Sequence, residues 1–164
     1  MDHHRTSRPL VRHLGGGALR PPGGEAAGFG ADELPCHLLL VETPSRRVLV
    51  DGGIGLHDIE DSTGRLGADF CAMADPVLDE SATAVHQLAR AGIDPISVTD
   101  IVLTHPDRDH VGAVADLPRA RVHAHPLVRA IVEDPSDPRD RERVRPAQWA
   151  HRVRWAAAPT AVPR

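Results

Sequence analysis

The sequence predicts a layered α/β (α+β) domain, and three observations predict it. Short apolar runs alternate with stretches whose apolar positions recur at helical spacing. Clusters of glycine and proline punctuate them. The chain has 164 residues, 41% of them hydrophobic, which is enough for one globular domain with a moderate core.

Residues 1–34 are read as a flexible or loop-rich segment. Residues 1–8 are polar, with His3 and His4 as part of a solvated tail. Residues 14–30 are rich in Gly and Pro but hold no G-x-G-x-x-G pattern, which argues against a phosphate cradle. Cys36 to Thr43 predicts a buried strand, Thr43 to Arg46 a turn, and Arg47 to Asp51 the second arm of a hairpin. That arm stops at Asp51-Gly-Gly-Ile-Gly55, where glycines let the backbone turn sharply. Residues 56–78 carry no clear pattern and are expected to be irregular.

A helix over about 80–91 follows from the spacing of Ala84, Val85, Leu88 and Ala89, with Asp79 or Ser81 as cap and Gly92 at the C′ position. Asp100 to Thr104 predicts a short buried strand. Val111 to Leu117 predicts a short helix, Ala120 to Ala124 a strand, and Pro126 to Glu133 a helix with proline in its first turn. Residues 133–145 are dense in both charge signs and in proline, and are expected to be solvated. Residues 134–164 together read as a charged tail, and 156–164 carry no pattern.

Composition excludes several functions. The net charge is −4 and the aromatics are two Phe, two Trp and no Tyr, so no nucleic-acid partner is expected. Arg139, Arg141, Arg143, Arg145, Arg152 and Arg154 are interleaved with Asp140 and Glu142, which suits an ion-paired surface better than a nucleic-acid site. No apolar run is long enough to span a membrane and no signal-peptide core opens the chain, so the expected address is cytoplasmic. Cys36 and Cys71 form no C-x-x-C pair and are read as reduced packing thiols.

The eleven histidines are the unusual feature. Thr104-His105-Pro-Asp107-Arg-Asp109-His110-Val-Gly112 places four candidate metal ligands within six positions, directly after an apolar strand. Neutral imidazole and carboxylate are the donors that a borderline divalent ion accepts. A strand gives such a loop rigid support, and a cation relieves the repulsion between closely spaced carboxylates. The competing reading is a charged surface loop in which Arg108 neutralises its neighbours. His86, His123, His125 and His151 are read as structural or surface groups.

This segment resembles the signature H-x-H-x-D-H of the metallo-β-lactamase superfamily, and Leu49-Val-Asp51-Gly-Gly-Ile-Gly55 resembles the family's upstream strand ending in Asp and glycines. The likeness spans roughly 35–130, and residues 35–133 are expected to be the N-terminal half of such a domain. The resemblance implies an αββα sandwich holding one or two divalent ions, usually zinc. His105 would bind the first ion and Asp109 and His110 the second, with Asp109 also catalytic, while Asp51 braces the ligand loop from behind. It implies hydrolysis of an ester, amide, lactone or thioester of a small-molecule substrate by metal-bound hydroxide.

Asp107 stands where the family has its second histidine. As a carboxylate it remains a candidate ligand and shifts metal choice toward Mn²⁺ or Fe²⁺. The family's later His and Asp ligands are expected beyond residue 150, and His151 lacks their sequence context. The chain is therefore expected to be truncated and inactive by itself, with an exposed apolar sheet face that favours oligomers. The alternative is a non-catalytic fragment or a small metal- or partner-binding protein.

Overall fold

The computed structural model describes residues 8–157. Six strands form one mixed sheet: β1 (Leu10–Leu19), β2 (Leu34–Glu42), β3 (Arg47–Val50), β4 (Pro76–Val77), β5 (Asp100–Val102) and β6 (Arg121–His123). Their order across the sheet is β4-β1-β2-β3-β5-β6. β4, β1, β2 and β3 run antiparallel to their neighbours, whereas β3, β5 and β6 are parallel. Seven short helices connect them: α1 (Leu56–Glu60), α2 (Ser62–Arg65), α3 (Ala68–Ala74), α4 (Ala84–Arg90), α5 (Ala113–Asp116), α6 (Pro126–Glu133) and α7 (Pro138–Arg143). None of the described helices is long and apolar enough to cross a membrane.

The β2–β3 hairpin forms where the sequence places it. Thr43 closes its turn, the backbone N–H donating to the Arg46 carbonyl at 2.9 Å and the hydroxyl accepting from the Arg46 N–H at 3.0 Å. Alternation then sorts the side chains. Leu38, Leu40, Leu49, Ile101 and Val122 face one side and bury themselves against Ala84 and Leu88 of α4, Ala113 and Val114 of α5, and Val111. Leu39, Val41, Val48, Val50 and Val102 lie on the opposite face of the sheet and stay partly exposed.

Four expectations about local structure need correcting. The Gly-rich stretch read as loop contains the end of β1: Gly15, Ala18 and Leu19 stand opposite β2, and across the register shift between Gly15 and Ala18 the Gly16 carbonyl accepts from the Ile54 N–H at 2.8 Å. Residues 56–78 are not irregular but form α1–α3 and β4, too short for periodicity to show. The helix expected over 80–91 is shorter: Asp79 caps a 3-10 turn at Glu80–Ala82, and Thr83 occupies the N-cap position of α4. The charged stretch 133–145 is mostly exposed, as its composition predicts, but its helix escapes the sequence reading: Pro138–Arg143 forms α7, capped by Asp137 accepting from the Arg139 N–H, and Val144 is buried. Residues 1–7 and 158–164, with His3, His4 and most of the patternless end, lie outside the described residues.

Asp100 begins β5 with its side chain only 2% exposed, ringed by His123 Nε2 at 2.7 Å, Arg121 at 3.1 Å and Arg46 at 3.4 Å. Burial pushes its carboxyl up, but His123, Thr99 and the two guanidinium groups more than reverse this and hold it below the usual value of 3.8. A depressed folded pKa contributes stability above the unfolded value, and that contribution is lost as pH falls through the folded one. The wild-type melting temperature is expected to drop more steeply below pH 4 than that of Asp100→Asn. Parallel melting curves down to pH 2 would exclude this role for Asp100.

Candidate metal centre

The centre is built where β3 and β5 end side by side. Asp51 follows β3 in the left-handed region at φ 60°, which a short acidic residue tolerates, and its N–H donates to the Val102 carbonyl at 2.8 Å. The turn after it is stitched to the ligand loop: Gly52 N–H donates to the His110 carbonyl at 2.6 Å, and Gly112 N–H to the Gly53 carbonyl at 2.8 Å. Only glycine fits at 112, since a Cβ there would lie 2.1 Å from the Gly55 nitrogen.

Asp51 then sets the entry to the loop. Its Oδ1 accepts from the Thr104 N–H at 2.8 Å and its Oδ2 from the Thr104 hydroxyl at 2.7 Å. That hydroxyl has one hydrogen, given to Asp51, so its contact with His105 Nδ1 at 2.7 Å is an acceptance. His105 therefore carries its proton on Nδ1 and presents Nε2 as a lone pair. Asp51, His105 and His110 bring donor atoms within 4.8 Å of one another.

The loop alternates. His105, Asp107 and Asp109 are partly exposed while Pro106 and Arg108 are buried. The Arg108 side chain is 4% exposed and turns away from the neighbouring carboxylates that the competing reading paired with it. It donates to the Leu66 carbonyl at 2.7 Å and to the Glu142 carbonyl at 2.5 Å, pairs with Asp69 at 3.0 Å, and lies over Phe70. Gln148 Nε2 donates back to the Arg108 carbonyl at 2.9 Å.

On the partly exposed side, His105 Nε2 lies 3.5 Å from Asp107 Oδ2, and His110 Nε2 lies 3.4 Å from Asp109 Oδ2. The His105 and His110 rings are 3.9 Å apart. Burial would lower the His110 pKa, but Asp109 and Asp51 on its two nitrogens push it up to about 10. Burial raises Asp109 and Asp51, but His110 beside both, with the Thr104 bonds to Asp51, leaves each below its usual value. The cluster holds a positive charge between two carboxylates. Cys36, 3.9 Å from Asp109, is pushed up to about 12 by burial and by that carboxylate, and stays a neutral thiol.

These donors fit a divalent ion. Ligands at 2.0–2.1 Å in tetrahedral array stand about 3.3 Å apart, close to the separation within each imidazole–carboxylate pair. Other histidines lie elsewhere. His86 Nδ1 meets the Thr83 hydroxyl at 3.1 Å, His123 pairs with Asp100, and His125 caps α6. His151 has both ring nitrogens buried without a hydrogen-bond partner. Arg143, whose Nε donates to Asp107 Oδ1 at 2.6 Å, escaped the sequence reading, because nothing in the order of residues brings position 143 to 107.

The sequence profile described as "Metallo-beta-lactamase superfamily" matches residues 31–162. A protein named "probable metallo-hydrolase" from Mycobacterium tuberculosis is 40% identical over 142 residues, covering 86% of this chain and 42% of that protein. The N-acyl homoserine lactonase AttM of Agrobacterium fabrum is 35% identical over 94 residues, covering 57% of this chain and 35% of AttM. The chain thus spans less than half the length of these relatives. Among solved structures, AiiA of B. thuringiensis, with N-decanoyl-L-homoserine at its active site, superposes with a TM-score of 0.67 at 17% identity. That match covers 89% of this chain and 58% of AiiA, and shows the fold.

Proposed function

The chain belongs to the metallo-beta-lactamase superfamily, and from that premise we propose that it carries the ion-gripping part of a hydrolase for small carbonyl esters, lactones or thioesters. The observation that supports this reading is that Asp51, His105 and His110 bring donor atoms within 4.8 Å of one another, with Asp107 beside His105 and Asp109 beside His110. Identity with AttM favours a lactone among these substrates.

His105 and Asp107 would hold one ion, zinc first with manganese or iron as alternatives, and Asp109 and His110 a second. Bound there, a divalent ion lowers the pKa of water and polarises a carbonyl. Thr104 keeps the His105 Nε2 lone pair toward the site, and Asp51 fixes Thr104 and His110 together. Asp109, beside His110, is the carboxylate we assign to take a proton during hydrolysis.

Donors drawn from one loop and its brace grip weakly, because the loop's own ordering opposes binding. For residues 1–164 alone we therefore expect binding that dialysis reverses and no measurable hydrolysis. Melting with excess Zn²⁺ or Mn²⁺ tests the first part. At a concentration 100-fold above Kd the linkage is about 2.7 kcal/mol, a rise of roughly 5–10 °C. No rise with either ion defeats the reading of the loop. Turnover of a lactone, thioester or β-lactam that disappears in His110→Ala defeats the expectation of inactivity.

A further inference from the structure

Asp107 departs from the pattern of its loop in having a cationic partner from a distant element. Its Oδ1 accepts from Arg143 Nε at 2.6 Å, while its Oδ2 lies 3.5 Å from His105 Nε2. One oxygen is thus occupied from outside and the other is aimed at the imidazole. Arg143 ends α7, and α7 is itself tied to the loop. Arg108 donates to the Glu142 carbonyl, one residue before Arg143, and Gln148, just beyond, donates to the Arg108 carbonyl. The arginine inside the ligand loop therefore anchors the helix that presents the arginine outside it.

We infer that Arg143 is a positioning residue for the metal centre: by holding Oδ1 it fixes the Asp107 carboxylate so that Oδ2 shares an ion with His105 Nε2. The inference rests on the proposed ion site and adds a residue to it. Without Arg143, among the described residues only His105 faces the Asp107 carboxylate, and the side chain, 33% exposed, can rotate into water.

Two effects of Arg143 oppose each other. A guanidinium near a cation site repels the ion, and it also orients a ligand. The Arg143 side chain is 45% exposed, so solvent screens its charge, and such exposed charge effects stay within a factor of about five. Loss of a partner that orients a ligand costs about 10–100-fold in metal affinity. Orientation wins.

The test is isothermal titration of the 164-residue protein with Zn²⁺. Arg143→Gln is expected to bind about tenfold more weakly than wild type while its metal-free melting temperature moves little, since the pair is exposed. Asp107→Asn is expected to weaken binding at least as much, and the double variant no further than Asp107→Asn alone. Arg143→Lys, which keeps a cationic donor, should recover part of the loss. Equal or tighter Zn²⁺ binding by Arg143→Gln, or fully additive losses in the double variant, overturns the inference and leaves the ion site standing. Wild-type protein that takes up no Zn²⁺ overturns the ion site and this inference with it.

Discussion

Replacing His110 with alanine is expected to weaken Zn²⁺ binding by more than about 100-fold, since loss of an outer partner alone costs up to that much. His110 touches three other members of the cluster. Its Nε2 faces Asp109 at 3.4 Å, its Nδ1 faces Asp51 at 3.2 Å, and its ring packs on His105. Alanine removes the donor and leaves two carboxylates facing a vacated space, so the metal-free protein should melt lower as well. His110→Gln separates the two effects. Its amide can still donate to one of the carboxylates, so it should recover stability without recovering Zn²⁺ affinity. Melting in EDTA and titration with Zn²⁺ read the two separately. A His110→Ala protein that binds Zn²⁺ within threefold of wild type would remove His110 from the ligand set.

The candidate ligand loop could be singled out because its residues are local in sequence. His105 to His110 are consecutive, the strand before them is apolar, and the glycine after them is needed where the chain passes Gly55. Asp51 was legible as well: its place after a strand and before two glycines is a sequence feature, and the structure connects it to Thr104 through both oxygens. The hairpin and the strand β5 follow from runs of Val, Leu and Ile between turn residues, whereas the parallel pairing of β5 with β3 does not.

What the sequence hid is held together by distant contacts. β1 contains Gly15-Gly-Gly17, residues that by propensity argue for a loop, and it is a strand because β2 pairs on both sides of the glycines while Ile54 bonds the Gly16 carbonyl. α7 reads as Pro138-Arg-Asp-Arg-Glu-Arg143, a solvated mixture of charges, and most of it is exposed. Its position is decided by two bonds to the ligand loop, Arg108 to Glu142 and Arg143 to Asp107, made across 34 and 36 residues. Charge patterning reveals that such residues are solvated but not which carboxylate they meet. Arg108 shows the same limit. The competing reading had it neutralise its neighbours, but alternation of burial along the loop turns it to the opposite side of the chain from Asp107 and Asp109.

That inward turn makes Arg108→Ala the substitution with the largest expected loss of stability, about 3–5 kcal/mol, or roughly 10 °C in melting temperature. The ion pair with Asp69 contributes little of it, because that carboxylate is 68% exposed and is readily solvated once free. The loss comes from the other contacts. The carbonyls of Leu66 and Glu142 lose their donor, and each such unmet group costs about 1–3 kcal/mol when buried. The guanidinium also vacates space over Phe70, and the remaining cavity adds to the cost. Arg108→Met, which refills that space with apolar atoms but donates nothing, should recover the cavity part and leave the carbonyls unmet, melting between Arg108→Ala and wild type. Because α7 is docked through the same side chain, both variants should also expose 138–149 to hydrogen exchange and weaken Zn²⁺ binding through loss of the Arg143–Asp107 bond. Arg108→Met as stable as wild type, with 138–149 still protected, would show that packing rather than hydrogen bonding holds the strap on the loop.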